Sequence, residues 1–117
     1  RRTAAARYAD LGLGDLVDIP QDEPSHIYHL FVCRSPERDR IRAALTEAKI
    51  ASAVYYTTPL HLQPALPILR NDPDSLPETE RVAGENFSVP LWPGIPAETQ
   101  AHVVDVFRSA VGAVATA

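Results

Sequence analysis

Apolar residues recur along this chain in short bursts, each with its own period. Over residues 1–11, Ala4, Ala5, Tyr8 and Leu11 fall on one stripe at helical spacing, and Gly12 and Gly14 stop the pattern. Residues 15–25 are polar and punctuated by Pro20 and Pro24, which predicts a loop. Residues 27–34 read Ile-Tyr-His-Leu-Phe-Val-Cys-Arg. Both alternating faces of this run are largely apolar, and its aromatic and β-branched residues predict a central strand covered on both sides. Ser35-Pro36-Glu37 then opens a helix, with serine as N-cap, proline at the first helical position and glutamate in the first turn. Ile41, Leu45 and Ala48 form its core stripe, and it ends near Lys49. Ala51 to Tyr56 predicts a second strand.

Pro59, Pro64 and Pro67 restrict the next stretch to short turns, and residues 70–75 predict an exposed loop. Pro77 to about Glu85 predicts a short helix with Glu78 and Glu80 near its positive end. Phe87 to Trp92 predicts a third strand, ended by Pro93-Gly94. Pro96 opens a last helix whose wide apolar face is Val103, Val104, Phe107, Ala110, Val111 and Val114. Strands separated by helices predict a small sheet with helices packed on it. The spacing leaves open whether the strands run parallel.

Composition narrows the class. With 117 residues and 45% apolar content, the chain is one domain with enough apolar material for a core. A net charge of −4 with scattered arginines argues against non-specific nucleic-acid binding. No apolar run approaches the roughly 18 residues of a membrane span. Arg1-Arg-Thr-Ala-Ala-Ala-Arg7 lacks the apolar core of a signal peptide. The expectation is a cytoplasmic protein without a membrane partner. The single cysteine, Cys33, excludes an internal disulfide and any multi-cysteine metal site, and its apolar neighbours predict a buried thiol. The chain has no methionine and begins in mid-pattern, so it is expected to be a piece of something longer.

Candidate chemistry is sparse. Gly12-Leu-Gly14 lacks the third glycine and the preceding strand of a dinucleotide loop and reads as a turn. His26 and His29, three apart on the predicted strand, point to opposite faces and cannot share a metal. His102 falls in the first turns of the last helix and is expected in solvent. Lys49, the only lysine among ten arginines and one lysine, sits at a helix end where a cation suits the helix dipole. One segment stands out. Tyr55, Tyr56, Thr57, Thr58, His61 and Gln63 crowd polar tips between Val54 and Pro64, with Pro59 and Pro64 stiffening the backbone. Such a cluster at a strand end is either a polar turn or the edge of a ligand site.

That segment, Tyr55-Tyr-Thr-Thr-Pro-Leu-His-Leu-Gln-Pro-Ala65, resembles the "[His/Tyr]-Tyr-Pro-x-Pro-Leu-His-Leu-Gln" signature of the DegT/DnrJ/EryC1/StrS sugar aminotransferases. The resemblance runs the length of the chain in order. Arg1-Arg-Thr-Ala-Ala-Ala-Arg-Tyr8 is similar to a family helix, His26-Ile-Tyr-His-Leu-Phe-Val32 to a family strand, and Arg38-Asp39 to the start of the next helix. Glu80 and Ser88-Val-Pro-Leu-Trp-Pro-Gly-Ile95 are similar to its closing motifs. The resemblance implies the C-terminal small domain of a fold-type-I enzyme using pyridoxal 5′-phosphate (PLP). The fold would be α+β, a small mostly antiparallel sheet with helices on it. The domain would span 1–117, with residues 1–14 the truncated end of the interdomain helix. The parent enzyme would be a homodimer that moves an amino group from glutamate or glutamine to a nucleotide-linked keto-sugar.

The resemblance further implies that His61 and Tyr55 contact substrate. The Schiff-base lysine, the phosphate grip and the acid facing the pyridine nitrogen would lie upstream, so no PLP is expected on this chain alone and no catalytic residue within it. Lys49 stands where the family has glycine, a helix end that favours left-handed geometry. Thr57 stands where it has proline. Two alternatives stay open: a stand-alone interaction or small-ligand-binding domain, and a member aminating a cyclitol or an aminobenzoate precursor.

Overall fold

The computed structural model describes residues 1–69 and 72–116. Four helices pack around a two-stranded antiparallel sheet. Helix α1 spans Arg2–Asp10, α2 Arg38–Glu47, α3 Pro77–Glu85 and α4 Ala97–Thr116; β1 is Phe31–Arg34 and β2 Asn86–Val89. Short 3₁₀ turns occupy Leu13–Asp15, Leu60–Leu62 and Pro67–Leu69. The strands pair from Phe31 opposite Val89 to Arg34 opposite Asn86. Single-residue bridges widen this sheet on both edges, Asp18 against Arg34 and Ala53 against Ser88. The expected α+β architecture is the one observed, and the sheet is antiparallel.

The helices form where their apolar spacing places them. Tyr8, Ile41, Leu45, Val103, Val104 and Phe107 are buried and meet Phe31, Cys33 and Phe87 from the sheet in one core. The Phe87 and Phe107 rings stack 5.8 Å apart. Val111 is half-buried, and the side chain of Val114 lies outside the described ones. Buried Gln100 ties α4 to α1: its Nε2 donates to the Ala4 carbonyl at 2.7 Å, and its Oε1 accepts from Arg7 at 2.8 Å. Tyr8 donates its hydroxyl to the Pro90 carbonyl at 2.6 Å, and burial raises its pKa. Burial likewise pushes the Cys33 thiol up to about 12.

Helix ends follow local chemistry. The Ser35 Oγ accepts from the Glu37 N–H at 3.0 Å, but in the turn ahead of the helix: α2 starts at Arg38, two residues later than expected, with Glu37 and not Ser35 at its N-cap. Lys49 has φ 62°, its N–H bonds Thr46 O at 2.9 Å, and the Ile50 N–H bonds Leu45 O at 2.8 Å. That pair of bonds is the Schellman closure, in a backbone conformation that favours glycine.

Two strand expectations need correction. The first strand begins at Phe31, not Ile27. Tyr28 has φ 49°, and its N–H goes to His26 Nδ1 at 3.0 Å, so residues 27–30 turn instead of extending, and Ile27 is 74% exposed. Val32 and Arg34 are only half-buried, so β1 is fully covered on one face alone. The second strand, expected over Ala51 to Tyr56, contracts to the bridge at Ala53, because the Tyr55 N–H leaves the ladder for the Asn86 side chain at 3.1 Å. The third starts one residue early, at Asn86, and stops at Val89 before Pro90, which has no N–H to offer. Within the expected 70–75 loop, Arg70 and Asn71 lie outside the described residues, and Asp72 to Ser75 are exposed.

Arg1 and Arg2 reach across to the 22–29 loop. Arg2 donates to the Glu23 and His26 carbonyls at 2.7 Å each, and Arg1 to the Tyr28 and His29 carbonyls at 3.2 and 3.1 Å. The two N-terminal segments that carried the family resemblance are thus packed on each other.

Candidate functional site: a neutral cleft under the 54–64 segment

Beyond Ala53 the chain leaves the sheet and folds over the face of α3. The backbone of Tyr55 is anchored by Asn86, which is 3% exposed and stands where α3 runs directly into β2. Asn86 Nδ2 donates to the Val82 carbonyl at 2.9 Å, so both ends of its amide are used. Pro59 then enters the Leu60–Leu62 turn, closed by the Leu62 N–H to Pro59 O at 2.9 Å. Gln63 Nε2 closes the segment on itself by donating to the Thr58 carbonyl at 3.0 Å.

Between this segment and α3 lies a cleft of about 410 Å³, lined by Val54 to Leu60, Gln63, Thr79, Val82, Ala83 and Asn86. That volume suits a small ligand. The lining has a chemical character: among the described residues it carries hydroxyls, amides, two tyrosine rings and aliphatic groups, and no charged side chain. The Tyr55 and Tyr56 rings meet edge to face with centroids 5.6 Å apart, and both are exposed.

The two residues singled out from the sequence separate here. Tyr55 lines the cleft. His61 does not; it is 8% exposed, and its Nε2 has no hydrogen-bond partner among the described residues. The nearest acid is Glu80, whose Oε2 lies 3.9 Å from that nitrogen. Glu80 is itself occupied at the start of α3, accepting from the Asp74 N–H at 2.8 Å and the Leu76 N–H at 3.2 Å. Nothing in the sequence marks Asn86, because an asparagine at a helix–strand junction carries no local signal of a partner 31 residues away.

The other candidates are structural or solvent-facing. The His26 ring stacks on Tyr28 with centroids 3.8 Å apart, and residues 26–29 are not strand, so the opposite-face argument for His26 and His29 does not apply. His29, His102 and Lys49 are exposed, and Lys49 does not line the cleft. Gly12 is a left-handed turn residue with φ 86°. Among the described residues, no cluster of three or more histidine, cysteine, aspartate or glutamate side chains could hold a metal, and no helix is long and apolar enough to cross a membrane.

Comparison with known proteins gives this geometry a setting. The model of the DegT/DnrJ/EryC1/StrS aminotransferase family matches residues 1–108. The chain is 42% identical over 110 residues to the pleiotropic regulatory protein of Geobacillus stearothermophilus, covering 90% of this chain and 30% of the relative. It is 35% identical over 119 residues to the dTDP-3-amino-3,4,6-trideoxy-alpha-D-glucose transaminase of Micromonospora megalomicea subsp. nigra, covering 95% and 32%. In structure it is similar to a DegT DnrJ EryC1 StrS aminotransferase from Brucella abortus, with TM-score 0.84, 29% identity and coverage of 95% of this chain and 30% of that one. The chain spans about a third of the length of these relatives or less.

Proposed function

The chain belongs to the DegT/DnrJ/EryC1/StrS aminotransferase family, and from that premise we propose that it forms the C-terminal small domain of an aminotransferase that acts on a nucleotide-linked keto-sugar. Residues 1–117 are one domain in this reading, and residues 1–14 are the end of the helix that joins it to the rest. The amino donor is glutamate or glutamine, the enzyme is a homodimer, and the 54–64 segment is one lip of its active site. The family match over 108 residues carries the reading, and one relative is named a transaminase of a dTDP-linked amino sugar.

The cleft lining supports a particular division of labour. Hydroxyls of Tyr55, Thr57, Thr58 and Thr79 and aromatic edges suit a hydroxylated ring, while among the described residues no lysine or arginine lines the cleft to grip a phosphate. The lip therefore takes the sugar, and the nucleotide phosphates are held by other parts of the enzyme. PLP, which the family uses, does not fit the residues present. The one lysine is exposed at the end of α2, outside the cleft, and among the described residues no cation in the lining could hold the cofactor phosphate. No chemical step is assigned to this chain; its role is to bind and orient. Tyr55 presents its ring to the ligand as it stands. His61 contacts substrate in this reading only once the Leu60–Leu62 turn shifts, because its Nε2 lies buried behind the cleft lining, with no hydrogen-bond partner among the described residues.

The test is steady-state and half-reaction kinetics of the full-length enzyme with nucleotide-linked keto-sugars as acceptors. Tyr55→Ala should raise KM for the keto-sugar about tenfold and leave the amino-donor half-reaction unchanged, as removal of a ground-state contact does. An enzyme that aminates no such sugar overturns the reading.

A further inference from the structure

We propose that Asn86 is the positioning residue of the lip, and that its side-chain amide sets where Tyr55 stands and thereby how tightly the sugar is held. This rests on the reading of the 54–64 segment as a substrate lip. Among the described residues, Asn86 alone belongs to the sheet, closes the end of α3 and hydrogen-bonds the lip backbone at once. Its Oδ1 accepts from the Tyr55 N–H at 3.1 Å, its Nδ2 donates to Val82 O at 2.9 Å, and its backbone stands opposite Arg34 in the ladder. Arg38, buried under this junction, donates to the Ala83 carbonyl at 2.5 Å and to the Asn86 carbonyl at 3.5 Å, so the anchor is itself held.

The lip depends on that anchor. The sheet holds the segment through the Ala53–Ser88 bridge, and Tyr55 is the next hydrogen-bonded residue. Beyond it, the hydrogen bonds of residues 56–66 run inside the segment: Leu62 to Pro59, Gln63 to Leu60 and to Thr58, Leu66 to Gln63. Each end of the Asn86 amide holds one protein partner, Oδ1 the Tyr55 N–H and Nδ2 the Val82 carbonyl, and these bonds tie it to the lip backbone and to α3. It acts through Tyr55, whose ring lines the cleft beside it. An aspartate here keeps the acceptor for Tyr55 but sets a buried carboxylate oxygen against the Val82 carbonyl, which also receives the Asn86 backbone N–H. A leucine of similar size loses both bonds.

The experiment pairs Asn86→Asp with Asn86→Leu in the full-length enzyme and in the 117-residue chain. In the chain, the amide shift of Tyr55 is read by NMR. It should move upfield in N86L, as an amide that loses its acceptor does, and not in N86D, which keeps one. In the enzyme, N86L should raise KM for the keto-sugar about tenfold, the factor that corresponds to 1.4 kcal/mol, with an unchanged donor half-reaction, and N86D, which keeps an acceptor for Tyr55, should raise it less. An unmoved Tyr55 amide in N86L overturns the anchor. A moved amide with unchanged sugar KM, or an equal loss in both half-reactions, overturns the role in positioning. A wild type without keto-sugar turnover overturns the functional reading and the kinetic half of this proposal, while the amide shift still decides whether Asn86 sets Tyr55.

Discussion

Cys33 shows how far burial governs a single side chain. It is fully enclosed in the strand that meets α2 and α4, and desolvation pushes its pKa from 9.0 to about 12. The folded state therefore favours the neutral thiol. Its contribution to stability is complete below pH 9 and is lost as pH rises toward 12, because the unfolded chain ionises first. Denaturant midpoints should fall between pH 8 and about 10.5, and fall less in Cys33→Ala. Native protein at pH 8 should resist a thiol reagent that labels the denatured chain at once. Rapid labelling of the native thiol would contradict the enclosed site.

At the scale of elements, the helices were legible and the strands only in part, and the reason is where their hydrogen bonds go. The Pro77–Glu85 helix was visible from its proline and acidic first turn. The strand pattern in residues 27–34 was real, but a left-handed Tyr28 and the acceptor on His26 turn its first half into a loop. The Ala51–Tyr56 run failed as a strand for a similar reason: a side chain 31 residues away takes the N–H that a ladder would use. Within the site, the lip was recognisable from its crowded polar tips. The placement of His61 behind the lining was not, since it depends on how the Leu60–Leu62 turn rotates. The end of α2 gives a direct test of the capping argument. Lys49 holds a left-handed φ in which a Cβ is disfavoured. Lys49→Gly should raise stability by about 0.5–1 kcal/mol, read as a higher urea midpoint at unchanged slope. A lower midpoint would mean that the flexibility glycine adds to the unfolded chain outweighs the relieved strain.

The whole molecule leaves a good deal of apolar surface uncovered. Tyr56, Leu60, Ile68, Leu76 and Trp92 are all exposed, three of them in or just after the lip, and Ile68 is 87% exposed. Surface of that kind is normally met by other protein. The isolated 117-residue chain should self-associate as concentration rises, and light scattering that shows a clean monomer near millimolar concentration would count against it. Replacing Leu60 and Ile68 by serine together should shift the equilibrium toward monomer without changing the fold.

The sheet beneath the lip has a dynamic consequence. All four residues of β2 are buried, β1 lies along one edge, and on the other edge Ser88 exchanges backbone bonds with Ala53 at 2.7 and 3.3 Å. Their amide protons are therefore released to solvent only when the whole domain opens. The Tyr55 amide is held by one side chain on an exposed segment and is released by a local opening. The part of the chain that meets a ligand can breathe many times while the strand that aims it never lets go.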